Sequence, residues 1–207
     1  EIFLNVGDGG VVKDITYDFT GKTADLYTNV LVVSRTTLIS MINEGISHGK
    51  RHFIDEIIKP LAKIGKVRAY KHEGNFEEMT SLQKYYEDSL KLLHKEYRDE
   101  VFRKANVYTK VKDSSPTRYG DNAVVKNAII ADGCDIEGEV YDSVIFRGVK
   151  IGRGTVVRNC ILMQNTLTGE NVSLNCIIAD KNVVIKEKRT LSGSENHPFF
   201  KSKGTVI

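Results

Sequence analysis

Hydrophobic and polar positions follow two different rhythms along this chain, and the rhythm changes near residue 123. In the first half, strand-like EIFLNV and VVKDITYD flank Gly7-Asp8-Gly9-Gly10, which predicts a β-hairpin. The continuous apolar end of ADLYTNVLVV predicts a strand buried on both faces, and KVRAYKHEG predicts a further strand. These signals indicate an α/β arrangement, but only part of one.

Helical spacing separates these predicted strands. A helix is expected after Ser34, which is a suitable N-cap. Pro60 is expected to split the next helix. The apolar face of the helix that contains Pro60 is formed by Phe53, Ile57, Leu61 and Ile64. A longer helix is predicted after it, with an apolar face formed by Leu82, Tyr86, Leu90, Leu93 and Tyr97.

In the second half, short β-branched pairs recur among glycine, asparagine and small residues. The letters IIAD occur at residues 129–132 and again at 177–180, which are 48 residues apart. Three apolar columns with steps of about 16 residues emerge when this half is aligned on itself: Ile130, Ile145, Leu162, Ile178; Ile136, Ile151, Thr168, Val184; and Val124, Val140, Val157, Leu174. This spacing predicts a triangular coil with three short parallel strands per turn, so that 48 residues span three coils.

Composition and charge exclude several functional classes. The 207 residues carry 30 Lys and Arg against 27 Asp and Glu, and a net charge of +3 does not indicate a nucleic-acid partner. No apolar run approaches the roughly 18 residues that a membrane-spanning helix needs, so no membrane partner is expected. The three cysteines, Cys134, Cys160 and Cys176, lack metal-type spacing and indicate reduced structural thiols in a cytoplasmic protein. Ser143, Cys160 and Cys176 are expected to form one column of small residues.

A parallel β-helix of hexapeptide repeats does not by itself define a function, because acyltransferases, oligomerisation modules and sugar-nucleotide enzymes all use it. The amino-acid sequence of the coils is more specific than their spacing. The stretches SPTRYG, DGCDIEGEVYDSVIFRGVKIGRGTVV and IIADKNVVI resemble the C-terminal region of the ADP-glucose pyrophosphorylases, or glucose-1-phosphate adenylyltransferases. The tail NHPFFKSKGTVI is most like the bacterial D-type, regulatory subunit of glycogen biosynthesis.

The resemblance implies an α/β plus all-β fold, in which the C-terminal part of a Rossmann-like nucleotidyltransferase domain precedes a left-handed parallel β-helix. The expected limits are residues 1–105 for the first domain, 106–122 for a linker and 123–207 for the β-helix. The family reaction makes ADP-glucose and pyrophosphate from ATP and glucose 1-phosphate with Mg²⁺. The family's G-G-x-G-[ST]-R-L loop and its F-x-E-K-P-like lysine stretch are absent, and since the chain opens on Glu1, we expect it to be the C-terminal part of a longer protein.

Positions of the family's sugar-phosphate pocket can be followed into this chain. The family's serine and tyrosine of S-x-G-I-Y become Tyr27 and Leu31, and the D-F pair becomes His52-Phe53. In E-G-Y-W-x-D-V-G-T the tryptophan becomes Phe76 and the metal-binding aspartate becomes Glu78. Glutamate can still bind Mg²⁺, but it moves the carboxylate in a site that demands octahedral geometry. The changed positions indicate a pocket released from catalysis, and Glu78 stays a weak catalytic and metal candidate.

Basic positions of the family's effector site are retained. The resemblance places binding of a small anionic metabolite at Arg158 and Lys181, and Arg118 is a further candidate. Positive charge at these positions suits a phosphate contact. Solvated surface residues are the alternative interpretation.

These observations favour a regulatory, non-catalytic subunit that pairs through its β-helix with a catalytic ADP-glucose pyrophosphorylase subunit, or with itself, in a tetramer. A catalytic adenylyltransferase with an altered pocket is the second hypothesis. A hexapeptide acyltransferase is the third and is disfavoured, because His197 is the only histidine after residue 94 and lies beyond the recognisable coils.

Overall fold

A computed structural model describes residues 1–18, 25–103, 107–109 and 112–207 of the protein. These residues form two compact units, Glu1–Phe76 and Glu77–Ile207. The predicted domain boundary at residues 105–106 lies outside the described residues. Within the described ranges, no helix has the length and apolar character required to cross a membrane.

The first unit contains a small antiparallel sheet and helices. Its strands have the order β2-β1-β3, and its helices include a π-helical segment at Phe53–Ile58. The bounds are β1 Phe3–Val6, β2 Val12–Thr16, β3 Asp25–Leu26, α1 Arg35–Ser47 and α2 Lys59–Lys63. The predicted hairpin is confirmed, since β1 pairs with β2 around the glycine-rich turn. Ser34 caps α1 as predicted by accepting a hydrogen bond from the Thr37 amide, and Pro60 lies where the π-helical segment passes into α2.

Two strand predictions for this unit are wrong. In ADLYTNVLVV the described residues, 25–33, form a strand only at Asp25–Leu26, and Val30 and Val32 are 69% and 93% exposed. In KVRAYKHEG the structure records a single bridge, between Val11 and Arg68. A buried strand needs hydrogen-bonding neighbours along its length, and β1 pairs with β3 over only two residues.

The second unit begins with two helices, α3 at Leu82–Lys91 and α4 at Lys95–Arg103. The single long helix predicted here is therefore wrong in its extent. Ser81 caps α3 by accepting a hydrogen bond from the Lys84 amide. The Arg98 guanidinium donates to the carbonyl of Leu92 at 2.9 Å, at the turn between the two helices.

A parallel β-helix follows, with three faces of five strands each. Face 1 contains residues 124–126 of β5, 139–141 of β7, and then β9, β12 and β15. Face 2 contains residues 128–130 of β5, 143–145 of β7, and then β10, β13 and β16. Face 3 contains β4, β6, β8, β11 and β14. The bounds are β4 Arg118–Tyr119, β5 Val124–Ile130, β6 Asp135–Ile136, β7 Glu139–Ile145, β8 Lys150–Ile151, β9 Val156–Arg158, β10 Ile161–Leu162, β11 Leu167–Thr168, β12 Ser173–Asn175, β13 Ile177–Ala179, β14 Val184–Ile185, β15 Thr190–Ser192 and β16 Phe199–Lys201.

Left-handed backbone recurs at the corners of the β-helix. Its residues with positive φ fall into three columns: Asn127, Asp142, Asn159, Cys176; Gly133, Gly148, Asn165, Asn182, Gly204; and Gly154, Asn171, Lys188. Glycine and asparagine suit this conformation because their steric penalty there is small. The prediction of a β-helix built from hexapeptide repeats is confirmed, and the corner columns explain why these residue types multiply after residue 123.

The observed register corrects the predicted columns by one residue at three places. Ala179 aligns with Leu162, so Ile178 does not belong to that column. Ile185 replaces Val184 opposite Thr168, and Val125 replaces Val124 opposite Val140. Three coils therefore span 49 residues and not 48, and the two IIAD stretches are offset by one position.

The predicted column of small residues is corrected in the same way. Cys160 shares its column with Ser143, since Ile161 pairs with Val144 on one side and Ile178 on the other. Cys176 instead occupies a left-handed corner with φ of 52°.

We expect Lys188→Asn to stabilise the protein by about 1 kcal/mol, because lysine at a φ of 58° bears a steric penalty that asparagine largely avoids. The two coils before it have Gly154 and Asn171 at this corner. Urea unfolding measures the effect. Lys186→Asn, at an exposed residue of the same coil without positive φ, is the matched control. An equal gain in both variants would contradict the backbone explanation.

Candidate functional site

The positions of the first unit that correspond to the sugar-phosphate pocket differ in burial and in hydrogen bonding. Tyr27 is half-buried, its amide donates to the Ile2 carbonyl at 2.9 Å, and burial raises the pKa of its phenol. Leu31 is 38% exposed and Phe76 is 41% exposed. Among the described residues, no side-chain hydrogen bond joins any two of these positions to each other or to the His52-Phe53 pair.

His52 and Phe53 lie at the start of the π-helical segment, with His52 as its N-cap residue. The His52 and Arg51 amides both donate to Oε2 of Glu56 at 2.6 Å, which lowers the pKa of that carboxyl. The His52 side chain is exposed, whereas Phe53 is half-buried against the core of the first unit. These two residues thus have a clear structural role in the segment.

The residues present do not fit a magnesium site by themselves. Glu78 is half-buried near the start of the second unit, and its carbonyl accepts from the Thr80 amide at 2.9 Å. No group of three or more His, Cys, Asp or Glu side chains converges within the described ranges. A lone carboxylate supplies at most two of the six oxygen ligands that Mg²⁺ requires, so Glu78 does not form a magnesium site with the described residues alone.

Arg158 lies at the end of β9 on the exposed side of face 1. Its guanidinium stacks on the ring of Tyr141, with Cζ 4.7 Å from the ring centroid. The Tyr141 hydroxyl in turn donates to Oε2 of Glu139 at 2.8 Å. Stacking holds the guanidinium plane while its N–H edge can still face a ligand.

Lys181 follows β13 at the corner between faces 2 and 3. Its backbone is fixed, because its amide donates to Oδ1 of Asp180 at 2.7 Å and its carbonyl accepts from Gly204 at 3.0 Å. Its side chain is exposed. The ammonium therefore projects from a rigid corner toward solvent.

Arg118 is already neutralised. Its Nη2 atom lies 2.7 Å from Oδ2 of Asp135 and 3.2 Å from Oε1 of Glu137 on face 3. A cavity of about 350 Å³ beside it is lined by Arg118 and Glu137 together with Arg153. Two carboxylates next to the guanidinium oppose an incoming anion, so Arg118 is the weakest of the three effector candidates. The structure does not bring the three together, since they lie on face 1, at the corner between faces 2 and 3, and on face 3.

Helix α3 covers face 2 of the β-helix. This face lies between the corner that carries Arg158 and the corner that carries Lys181. Its Tyr86 is 2% exposed and packs against outward residues of the β-helix, namely Val144, Ile161, Cys176 and Ile178. The Tyr86 hydroxyl donates to the carbonyl of Asn159, the residue after Arg158, at 2.6 Å. On the other side, burial raises the pKa of Tyr85, and the Asp180 carboxylate next to Lys181 adds to that rise. Of the predicted apolar stripe, Tyr86 is core and Leu90 and Leu93 pack against the same cluster, whereas Leu82 is 41% exposed.

An ion-pair network on α3 was not foreseen. Lys84 Nζ lies 2.7 Å from Glu77 and 3.0 Å from Asp88, and Lys91 Nζ lies 2.7 Å from Glu77 and 2.8 Å from Asp88. Hydrogen bonds from Lys84 and then Lys91 lower the pKa of Glu77 to about 2. The spacing of Lys84, Asp88 and Lys91 could have indicated pairing along one helix face, but the participation of Glu77 depends on how the chain folds back.

The cysteines are buried and free, as predicted. Burial raises the pKa of Cys160 to about 12 and also raises that of Cys134. Since the thiolate is the reactive form, these two residues act as small core side chains and not as nucleophiles.

Comparisons with known proteins agree with this architecture. Residues 111–197 match the model of the GlmU-like, C-terminal hexapeptide family. The chain is 33% identical to the glycogen biosynthesis protein GlgD of Bacillus subtilis over 195 residues, which cover 94% of this chain and 57% of that protein. It is 36% identical to GlgD of Geobacillus stearothermophilus over 57% of this chain and 35% of that protein. It is 34% identical to glucose-1-phosphate adenylyltransferase of Fervidobacterium nodosum over 65% of this chain and 33% of that protein.

By fold, the second unit is a hexapeptide β-helix with a helix packed on one face. By sequence, the chain is related to the glucose-1-phosphate adenylyltransferases and the GlgD proteins, and this resemblance is confirmed. The chain spans just over half the length of the Bacillus subtilis relative that it matches.

Proposed function

We propose that this chain belongs to a regulatory, non-catalytic subunit of a glucose-1-phosphate adenylyltransferase complex of glycogen biosynthesis. The observation that carries the proposal is similarity to GlgD along 94% of the chain. The altered pocket supports it, because Tyr27 and Leu31 stand where the family has serine and tyrosine, and Glu78 has no companion ligands among the described residues. The partner is a catalytic subunit or a second copy of this subunit, in the cytoplasm.

Assay of the full-length protein tests the catalytic question. Purified alone, it is expected to make ADP-glucose at about a thousandth of the catalytic subunit's rate or less, since positioning groups each supply large factors to such a reaction. A catalytic adenylyltransferase is the second candidate, because the chain is also 34% identical to an enzyme of that name. A rate comparable to that of the catalytic subunit would establish the second candidate and overturn the first.

We further propose that Arg158 and Lys181 bind small anionic metabolites and so confer an effector response on the complex. Both side chains are exposed cations on rigid backbone, and neither has an ion pair among the described residues. Because the two side chains lie on either side of α3, the expected arrangement is two anion contacts beside that helix.

Removal of either cation is expected to weaken effector binding about 10-fold or more, because a charge-assisted hydrogen bond contributes about 1.5–3 kcal/mol. Titration of the complexes that contain Arg158→Ala or Lys181→Ala with inorganic phosphate and with glucose 1-phosphate measures this. Lys126→Ala is the matched control, since Lys126 is an exposed cation in the same outward column of face 1 as Arg158. Unchanged affinity in both variants would remove the effector role from these residues.

A further inference from the structure

The side of α3 that faces the β-helix touches the corner that carries Arg158. Asn159 has a φ of 49°, and its amide donates to the Tyr141 carbonyl, so the corner is tied to the preceding coil. The Tyr86 hydroxyl reaches the Asn159 carbonyl at 2.6 Å from a position that is 2% exposed. A shift of the Arg158 corner cannot leave this hydrogen bond unchanged, because hydrogen-bond strength falls steeply with distance and angle.

The neighbouring residue of α3, Tyr85, is half-buried against the same cluster on face 2. The Asp180 carboxylate influences Tyr85 electrostatically and accepts the Lys181 amide at 2.7 Å. An anion on Lys181 therefore alters the field around Tyr85. Two successive tyrosines of one helix thus pack on face 2, and Tyr86 contacts the corner that carries Arg158.

The lysines of α3 form hydrogen-bonded ion pairs with Glu77, in the segment that precedes the helix. Lys84 and Lys91 both bond the Glu77 carboxylate, and the Tyr97 hydroxyl lies 3.4 Å from it. Asp88 holds both lysines in place from a position that is 5% exposed. Glu77 is followed directly by Glu78, the residue at the family's metal position.

We propose that α3 transmits anion binding at Arg158 to the segment at residues 77–80, with Tyr86 as the positioning residue and the Lys84–Glu77–Lys91 bridge as the output. The inference rests on the proposed effector role of Arg158 and specifies how that role is transmitted. A helix is stiff enough to transmit a shift across its three turns, and both ends of the link are direct contacts. By reciprocity, fixing the 77–80 segment strengthens anion binding at the Arg158 corner by the same factor.

Hydrogen exchange on the full-length protein tests the transmission, with inorganic phosphate as the probe. Phosphate is expected to slow amide exchange in peptides covering residues 77–91 by about threefold or more, which corresponds to a coupling within the usual allosteric range. Binding itself is measured separately by calorimetry. The two readouts separate failure of effector binding from failure of transmission.

Three variants make the test specific. Tyr86→Phe removes the hydroxyl and keeps the ring in the core, so phosphate affinity is expected to stay within about threefold of the unmodified protein while the exchange response is lost. Glu77→Gln is expected to do the same from the other end of the link. Tyr17→Phe is the matched control, because it removes a tyrosine hydroxyl that bonds Asp55 in the first unit and not α3.

Each outcome decides the inference. Loss of the response in Tyr86→Phe and Glu77→Gln, with retained response in Tyr17→Phe, supports it. Phosphate binding without slowed exchange at residues 77–91, or a full response in Tyr86→Phe, overturns the transmission and leaves the effector site standing. Absence of phosphate binding to the unmodified protein overturns both.

Discussion

Replacement of Gly152 by alanine is expected to destabilise the protein by about 3 kcal/mol or more, because a Cβ atom here collides with the backbone of the next coil. The added carbon would lie less than 3.0 Å from both the carbonyl oxygen and the carbonyl carbon of Gly169. The three nearest atoms are all backbone of the next coil, so no flexible side chain can move aside and the coils must separate. Urea unfolding measures the loss.

Gly120→Ala is the control for this effect. Gly120 lies at the equivalent position two coils earlier, where the nearest atom to a Cβ is the Glu137 Cα at 3.4 Å. Its free energy of unfolding is expected to change by about 0.5 kcal/mol or less, since alanine also reduces the entropy of the unfolded chain. Equal losses in the two variants would show that the glycines matter for conformation and not for coil stacking.

Truncation of Ile178 to alanine is expected to cost about 3 kcal/mol, in the range for a buried isoleucine that leaves a cavity. The side chain is fully buried although it points away from the interior of the β-helix, because Tyr86 and its neighbours on α3 cover it. The loss should be non-additive with Tyr86→Ala, since residues in contact share a cavity.

Phe200→Ala provides the comparison within one column. Phe200 pairs directly with Ile178 in the next coil, yet it is 41% exposed. Its truncation is expected to cost about 1 kcal/mol or less, since most surface substitutions have small effects. If Phe200→Ala proved as costly as Ile178→Ala, the helix would not be the source of the burial.

The candidate site was only partly predictable. Arg158 and Lys181 were assigned by resemblance, and the structure finds both exposed on rigid corners, which leaves their effector role as a proposal. Arg118 carried the same charge in the sequence, but its two carboxylate partners are 17 and 19 residues away and meet it only when the coils stack. Tyr86 was assigned to the core from its spacing, whereas its bond to Asn159 joins residues 73 apart.

The one-residue error in register on β13 has a physical origin. Alternation between inward apolar and outward polar residues normally fixes the face of each position. On β13 that alternation is absent, because Ile177, Ile178 and Ala179 are all fully buried. The sequence cannot distinguish an inward residue from an outward one that a helix covers.

The sequence by itself determined the repeating coil and its corners, because burial inside a coil and left-handed backbone each restrict residue type at every turn. The interior columns and the glycine and asparagine corners are local requirements that recur with the chain. Only the tertiary structure decided which side chains of face 2 lie under α3, how Glu77 joins Lys84 and Lys91, and which cations stay unpaired. Those outcomes depend on contacts between residues distant in sequence, for which periodicity carries no signal.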